Sequence, residues 1–418
     1  MLSWEYPPRI VGGLGRHVHE LSTALAERGV ELHVITCGDE TCRAYDKQGL
    51  VNVVRADPSH LSGEDFLAWV MGLNFAMVEK GIELMSRVGD FAVIHAHDWL
   101  VAFAAETLKK GYHVPLISTI HATEWGRNKG LHNDVQRYIS SVEWRLAYES
   151  WRVICCSKFM FGELSDVFRV PPDKLRVVPN GVRRGEFAAS PSDAAADAEF
   201  RKRWAAPEER IVFYIGRLVH EKGVDTLIDA IPKVLAARNA AKFIIAGTGP
   251  AAEHLKGRAR LLGIADRVYF AGFIDDKTRA RLMRLAEMAV FPSLYEPFGI
   301  VALEAMAAGR PVVVSDVGGL GEIVTHGVNG FKCYPGDANS LASTILEVLS
   351  KPRLAAQAAA RALDDAVTIY NWASIARRTE QIYEEVVAES SDTPWVRQAR
   401  PLELVGAPRH DDREVHAR

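Results

Sequence analysis

Short runs of Val, Ile and other apolar residues recur along the whole chain, and stretches with helical periodicity separate them. Such runs, bounded by turn residues, are typical of strands buried on both faces, and their alternation with helices favours a parallel sheet covered by helices. A sheet of this kind places its binding site at the carboxyl ends of its strands. The chain is therefore predicted to be an α/β protein whose functional residues follow its strands.

The predicted strands form two groups, because the pattern weakens over residues 184–207, which are rich in Ala, Ser, Asp and Pro, and restarts near residue 210. We predict strands at 31–37, 51–55, 91–95, 114–120, 152–156 and 175–178, and then at 211–215, 242–246, 268–270, 288–291, 311–315 and 331–333. The residues up to Trp4 are predicted to be either a short first strand or the last part of one that starts upstream of Met1, and a short helix is expected at 194–204. At roughly 100–200 residues per domain, the 418 residues accommodate two such units.

The longer helices are predicted between these strands and after the last one. Their expected ranges are 15–28, 64–87, 100–110, 133–149, 158–167, 223–237, 251–262, 276–285, 301–308, 338–349, 353–367 and 372–389. The remaining tail, 390–418, is charged and broken by prolines, and we expect it to be poorly ordered.

Composition excludes some classes of function. The formal net charge is −3, which does not favour nucleic acid or a strongly anionic membrane as the main partner. No run of about 18 apolar residues predicts a transmembrane helix. The five cysteines have no disulfide-framework spacing, so they are expected to be reduced thiols, and a cytoplasmic location is expected.

Two loops carry features that suit phosphate. Gly12, Gly13 and Gly15 follow the first strand and open a helix, where glycines let a phosphate approach the backbone. A tight strand–helix turn is the alternative reading. Arg217 and Lys222 follow the first strand of the second unit, and such a pair can stabilise a diphosphate leaving group. A solvated loop of mixed charge is the alternative there.

The segment 295–309 is the most informative. Glu296 lies on a loop after a strand, and Glu304 lies inside the next helix, which is expected to start near Gly299. The free backbone N–H groups of that helix suit a phosphate. A partly buried carboxylate is costly unless it has a partner, although a purely structural role for Glu304 remains an alternative.

Two histidine pairs resemble pairs of metal ligands. They are His17 with His19 and His95 with His97. We see no third and fourth ligand at suitable spacing, so a zinc site is not predicted. Trp125 is a candidate sugar-stacking aromatic, with simple packing as the alternative.

Taken together, these motifs resemble the retaining glycosyltransferases of family 4, to which glycogen and starch synthases are related. The resemblance runs from about Trp4 to Glu385. Besides Arg217 with Lys222 and Glu296 with Glu304, it rests on Trp4-Glu5-Tyr6-Pro7-Pro8, Gly12-Gly13-Leu14-Gly15, His95-Ala96-His97-Asp98-Trp99, Thr119-Ile120-His121 and Pro179-Asn180-Gly181-Val182.

This resemblance implies the GT-B fold, with two facing Rossmann-like parallel-sheet domains and a deep cleft between them. The implied divisions are an acceptor domain at 1–185, a nucleotide-sugar donor domain at 186–370, a helix crossing back to the first domain at 371–389, and the tail at 390–418. The resemblance also implies metal-independent transfer with no cofactor, which agrees with the lack of an Asp-x-Asp motif.

The resemblance further implies roles for individual residues. Arg217 and Lys222 would hold the donor diphosphate, Glu296 and His121 would contact the transferred sugar near the reacting centre, and Glu304 would bind the ribose. The remaining implied positions are Gly13, Leu14, Phe298, Gly299, Ile300 and Val301 on the donor, and Asp98, Asn180 and Trp125 on the sugar and acceptor side.

The resemblance implies the transfer of a hexose, with glucose from ADP- or UDP-glucose favoured, to an acceptor such as an α-1,4-glucan. A small-molecule or lipid acceptor is an alternative. The sequence also departs from bacterial glycogen synthases, since Ile10-Val11 stand where those enzymes have a Lys-Thr pair, which removes one cation from the diphosphate and leaves assignment to a true glycogen synthase open. A sugar-nucleotide epimerase, a phosphorylase and a two-lobed binding protein without catalysis are alternatives of other classes. The oligomeric state stays open.

Overall fold

The computed structural model describes residues 1–39, 42–59, 65–188, 194–238 and 240–397. In these residues the strands form two separate sheets, as the two groups of apolar runs predict. The strands are β1 (Leu2–Ser3), β2 (Leu32–Cys37), β3 (Tyr45–Gln48), β4 (Val51–Ala56), β5 (Ile94–His97), β6 (Leu116–Ile120), β7 (Arg152–Cys155), β8 (Leu175–Val177), β9 (Arg210–Ile215), β10 (Ala241–Ala246), β11 (Val268–Gly272), β12 (Met288–Phe291), β13 (Val312–Ser315) and β14 (Phe331–Cys333).

The first sheet has the order β3-β4-β2-β1-β5-β6-β7-β8, and the second has the order β11-β10-β9-β12-β13-β14. Every pairing between described strands is parallel except that of β3 with β4. In each sheet the first strand in sequence, β1 or β9, lies in the middle. The next strands are added on one side of it, and the later ones on the other side, so the strand order reverses beside it. Such a reversal opens a crevice at the carboxyl ends of the central strands. The predicted α/β class with parallel sheets is confirmed.

Helices cover both sheets. They are α1 (Gly13–Ala26), α2 (Phe66–Val88), α3 (Ala102–Tyr112), α4 (Glu124–Asn128), α5 (Asp134–Glu149), α6 (Lys158–Phe168), α7 (Arg184–Phe187), α8 (Ala194–Lys202), α9 (Val224–Ala237), α10 (Ala252–Leu261), α11 (Asp276–Leu285), α12 (Ile300–Ala307), α13 (Gly318–Ile323), α14 (Ala338–Ser350), α15 (Pro352–Thr368), α16 (Trp372–Ser391) and α17 (Pro394–Arg397). Short 3₁₀ turns occur at Trp99–Val101 and His220–Lys222. No described helix is both long and apolar enough to cross a membrane.

Sequence patterns missed or misplaced a few elements. Strand β3 is a polar, largely exposed edge strand, so it lacks the apolar run that marks a buried strand. Strand β5 begins at Ile94 rather than Phe91, because the parallel pairing with β6 starts there. Helices α4 and α13 are shorter than two turns and show no clear periodicity.

The last long helix returns to the first sheet's unit. Helix α16 packs against α1, and Trp372, Ile375 and Tyr383 are buried in the same core as Val18 and Leu25. The start of the tail is ordered, contrary to expectation: α16 continues to Ser391, and the ring of Trp395 in α17 lies 5.5 Å from that of Trp151. The rest of the tail, from residue 398, lies outside the described residues.

Candidate functional site

The glycine loop of the first unit faces the start of helix α12 in the second. A Cβ atom added to Gly13 would lie 3.2 Å from the side-chain Cδ1 of Ile300. Helix α12 has Gly299 as its N-cap, with a left-handed φ of 108° and no side-chain cap. Its first backbone N–H groups are therefore available to an anion. The fold brings together the two segments that sequence analysis assigned to donor phosphate.

A buried carboxylate shapes the glycine loop. Glu5 Oε2 accepts hydrogen bonds from the backbone N–H groups of Val11 at 2.8 Å and Gly12 at 2.9 Å. A Cβ atom added to Gly15 would lie 3.0 Å from the Glu5 Cβ, so a larger residue there would crowd Glu5. Burial raises the pKa of Glu5, against the effect of these hydrogen bonds. Glu5 thus serves to hold the loop, a role that the sequence did not reveal.

Lys222 and Glu296 meet at the carboxyl end of the second sheet. Lys222 Nζ donates to Glu296 Oε2 at 2.8 Å, and the hydroxyl of Ser293 donates to the same oxygen at 3.2 Å. The Glu296 side chain is only 10% exposed, so the lysine compensates a carboxylate that is largely removed from water. Arg217 lies nearby in sequence but is half exposed and hydrogen-bonds to Glu221 at 3.3 Å.

Glu304 is buried in α12 and forms an ion pair with Arg279 of α11, whose side chain is equally buried. The second carboxylate oxygen of Glu304, Oε2, has no hydrogen-bond partner among the described residues. Burial raises the pKa of Glu304, and the Arg279 guanidinium opposes that effect. One oxygen is therefore held by the protein while the other is left for a hydrogen-bond donor.

Arg16 joins the two units beside Glu304. Its guanidinium forms a salt bridge with Asp276 at the start of α11, although Arg16 belongs to α1 of the first unit. The sequence does not reveal this contact, since nothing in the spacing links residues so far apart in the chain.

The first unit also holds the loop that carries Glu296. The hydroxyl of Tyr295 donates to Glu163 at 3.0 Å. The hydroxyl of Ser157 donates to the carbonyl oxygen of Pro297 at 2.7 Å. Both partners lie in or beside α6, so the position of Glu296 depends on contacts from both units.

Two glycines that sequence analysis did not single out support the same loop. Gly318 and Gly319 begin α13, and a Cβ atom on Gly318 would lie 2.1 Å from the carbonyl oxygen of Glu296. A Cβ atom on Gly319 would lie 2.3 Å from the Cα of Phe298. The signal was available as a Gly-Gly pair two residues after a predicted strand.

Replacing Gly319 by alanine is expected to displace the 296–298 loop, because the clash is with backbone that has no flexible end to move. We expect the Gly319→Ala variant to lose about 1–3 kcal/mol of stability, the usual cost of overpacking, together with the activity of this site. The control is Gly257→Ala in α10, where an added Cβ meets nothing within 4 Å and alanine, the better helix former, should add about 0.5–1 kcal/mol of stability. A Gly319→Ala variant with the unfolding curve and the activity of the native protein would contradict the supporting role of Gly319.

His121 lies on the first unit's side of the site, after strand β6. Asp98 Oδ1 accepts from the backbone N–H of His121 at 2.7 Å. Burial and the nearby Arg127 guanidinium lower the pKa of His121 to about 3, so its imidazole is neutral near pH 7. Burial raises the pKa of Asp98 to about 6. Through the hydrogen bond from the His121 backbone, Asp98 holds the segment that carries His121.

Three histidines from different elements converge here. His17 of α1, His97 of β5 and His121 each offer a ring atom, and these atoms lie within 4.8 Å of one another. The spacing along the sequence did not show this convergence, because the three residues come from a helix, a strand and a loop that are distant in the chain. The neighbouring histidines of each sequence pair, His19 and His95, do not belong to this cluster of described residues.

The remaining predicted residues occupy varied positions. Asn180 is buried, and its Oδ1 lies 2.6 Å from His17 Nδ1. Trp125 lies on α4 with 39% of its surface exposed. Leu14 and Phe298 are buried in the cores, so their backbones rather than their side chains are available to a ligand. Val301 packs partly against the core of the second unit.

A buried glutamate beside the site gives a pH-dependent prediction. Burial raises the pKa of Glu143 to about 8, although both its carboxylate oxygens accept from the backbone N–H of Glu124. The folded protein therefore binds this proton more tightly than the unfolded chain does, so the stabilising contribution is present at low pH and is lost as pH rises to about 8. Glutamine carries no such proton. A Glu143→Gln variant should therefore gain stability relative to the native protein as the pH rises from 5 to 8.

Thermal unfolding at the two pH values measures this change. The exposed Glu79→Gln variant in α2 is the control. If the difference in Tm between Glu143→Gln and the native protein stays the same at pH 5 and pH 8, the raised pKa of Glu143 is wrong.

Comparison with known proteins agrees with this geometry. Residues 11–185 match the family model Glycosyltransferase Family 4, and residues 196–364 match the model Glycosyl transferases group 1. An uncharacterized glycosyltransferase of Methanocaldococcus jannaschii is 40% identical over 92% of this chain and 97% of its own length. The chain belongs to the family 4 glycosyltransferases.

Two further comparisons refine the placement within the family. The glycogen synthase of Mycobacterium tuberculosis is 38% identical over 92% of this chain and 93% of its own length. The structure of a sucrose-phosphate synthase from Thermosynechococcus elongatus superimposes with a TM-score of 0.81 at 26% identity, covering 93% of this chain and 98% of that one. The two sheets and their facing loops are thus the GT-B fold, and the predicted family resemblance to glycogen synthase-like enzymes is confirmed.

Proposed function

We propose that this glycosyltransferase moves glucose from ADP- or UDP-glucose to the end of an α-1,4-glucan, with retention of the anomeric configuration. The observation that carries the proposal is the position of Gly13 opposite the uncapped start of α12, with the Lys222–Glu296 pair at the same strand ends. The full-length similarity to a glycogen synthase supports the choice of sugar and acceptor.

Charge stabilisation is the main catalytic effect that this geometry supports. Cleavage of the donor leaves a nucleoside diphosphate, whose negative charge grows in the transition state. Lys222, Arg217 and the first N–H groups of α12 supply positive charge and hydrogen-bond donors for it. We therefore propose transfer that needs no metal ion and no cofactor.

The sugar side of the site supports front-face transfer. In the proposed reaction the acceptor hydroxyl attacks from the face that the diphosphate leaves, and the departing phosphate oxygen takes the hydroxyl proton. His121 is neutral, so it can hydrogen-bond to a sugar hydroxyl without adding charge. Glu296 then stabilises developing positive charge on the sugar and positions it, with Asp98 and Asn180 placing the histidines around it.

A small phosphorylated acceptor is the second candidate. The structural neighbour named sucrose-phosphate synthase is 26% identical over nearly its whole length, and its name denotes an enzyme that makes a sugar phosphate. In that case the donor machinery of the second unit is unchanged and only the acceptor bound by the first unit differs.

The donor and the acceptor can be tested together. Release of nucleoside diphosphate is followed with ADP-glucose, UDP-glucose or GDP-mannose, with and without a maltooligosaccharide. We expect release from ADP- or UDP-glucose that depends on the glucan and lengthens it, with an α-linkage visible by NMR. Release that ignores the glucan but responds to a phosphosugar would favour the second candidate, and no release from any donor by folded protein would contradict the proposal.

Glu296→Gln tests the catalytic part separately. Glutamine keeps the size and the contact with Ser293 but removes the charge near the reacting sugar, so we expect nucleotide-sugar binding to remain while turnover falls at least tenfold. The exposed Glu83→Gln in α2 is the matched control. Full turnover by Glu296→Gln would show that its assigned role is wrong.

A further inference from the structure

The side chains of His17, His97 and His121 form a candidate metal site. All three side chains are buried or nearly so, and their ring atoms lie within 4.8 Å of one another. Neutral imidazole nitrogen suits zinc, copper and nickel better than magnesium or calcium.

A ring nitrogen that the proposed site would use lacks a partner. His17 Nε2, which is inaccessible to solvent, has no hydrogen-bond partner in the part of the chain that the structure describes. A buried polar atom without a partner is costly, and a metal ion is one of the ligands that would remove the cost. The orphan atom is thus a second observation, independent of the histidine clustering, that points to a ligand.

The hydrogen bonds around the cluster resemble those around metal ligands. His17 Nδ1 lies 2.6 Å from Asn180 Oδ1, and since an amide oxygen only accepts, His17 donates from Nδ1 and presents the lone pair of Nε2. A ligand histidine usually donates its other N–H in this way, which fixes its tautomer and orientation. Asn180 therefore holds His17 in the state that a metal needs.

The spacing allows coordination after small ring rotations. His97 Nδ1 and His121 Nε2 are 3.2 Å apart, close to the roughly 3.4 Å that separates two nitrogens bound to one tetrahedral zinc ion at about 2.0–2.1 Å. The ring centroids of His17 and His121 are 4.6 Å apart. All three ring atoms lie within 4.8 Å of one another, so the third nitrogen must move by at most about 1.4 Å to reach the same spacing.

We propose that His17, His97 and His121 bind one zinc-like divalent ion, with a fourth position left for water. Three imidazoles with an open position form a familiar zinc arrangement. The ion is not a cofactor for transfer: it uses the His121 imidazole and so competes with the sugar. That consequence, unlike the metal site itself, rests on the proposed function.

Metal binding is measured on the full chain without any donor. Protein stripped with a chelator is titrated with Zn²⁺ by calorimetry and with Co²⁺ by visible absorption, because four-coordinate Co²⁺ absorbs far more strongly than six-coordinate Co²⁺. We expect one equivalent of each ion and the strong four-coordinate spectrum. Asn180→Ala should weaken binding by about 10–100-fold while the protein stays folded, since it removes only the partner that orients His17.

Variants of the ligands and a remote histidine complete the test. His17→Gln and His97→Gln should both lose the strong Co²⁺ spectrum, and two variants are used in case the fully buried His97 is required for folding. His254→Gln, at an exposed histidine in α10 that lies 2.9 Å from Asp225, should leave it unchanged. A weak six-coordinate spectrum, or binding that survives in folded His17→Gln, would overturn the proposal. Neither result depends on whether the chain transfers glucose.

Discussion

Replacing Lys222 by methionine is expected to lower kcat about 10²–10³-fold, the usual effect of removing one group that stabilises charge in a transition state. Lys222 is one of the cations that the fold places at the strand ends opposite the glycine loop. Its loss also leaves the Glu296 carboxylate, 10% exposed, with the Ser293 hydroxyl as its remaining described partner. The repelling carboxylate should therefore weaken donor binding as well and raise KM for the nucleotide sugar.

Two further variants make this result interpretable. Lys222→Arg keeps the charge and should recover part of kcat. If the loss of kcat in Lys222→Met were purely structural, restoring the charge would not recover it. Lys256→Met removes an exposed lysine of α10 that pairs with Glu253, and it should leave kcat unchanged. Native-like turnover in Lys222→Met would show that the diphosphate is neutralised elsewhere, for which Arg16 is the candidate that the structure places beside Glu304.

The donor side of the site was largely predictable from sequence because its residues are local. Lys222 follows β9, Gly299 caps the helix after β12, and the glycine loop follows β1, so strand-end logic alone places them at one edge of each sheet. The helix start near Gly299 is confirmed. Periodicity does not show that the carboxyl-end edges of the two sheets face each other. That prediction came from the family resemblance.

The histidine cluster and the buried ion pair could not be predicted in the same way. His17, His97 and His121 lie on a helix, a strand and a loop that are far apart in sequence, and no spacing rule joins them. Arg279 sits in a helix whose polarity resembles that of any surface helix, so its burial against Glu304 appears only after α11 and α12 pack. Long-range pairing of polar groups is decided by tertiary packing, which a local pattern does not encode.

Replacing Arg279 by methionine is expected to cost about 3–5 kcal/mol of stability, because it leaves the buried Glu304 carboxylate without its main compensating charge. Both side chains are 5% exposed, so water cannot replace the lost partner. Arg258→Met is the control, since that arginine pairs with Asp229 in a partly exposed position where a salt bridge is worth about 0–1 kcal/mol. Chemical denaturation measures both.

The double variant Arg279→Met/Glu304→Leu separates stability from function. Replacing both members of a buried ion pair by apolar residues is often neutral for stability, so the double variant should unfold near the native midpoint. It should nevertheless lose nucleotide binding, because the carboxylate oxygen left without a partner is the one available to a ribose hydroxyl. A double variant that regains stability and still binds the nucleotide would mean that Glu304 serves the fold alone. A double variant that regains stability but does not bind the nucleotide would mean that the ion pair serves function. Arg279 would then be needed to keep a charged carboxylate at a buried position where a leucine is at least as stable.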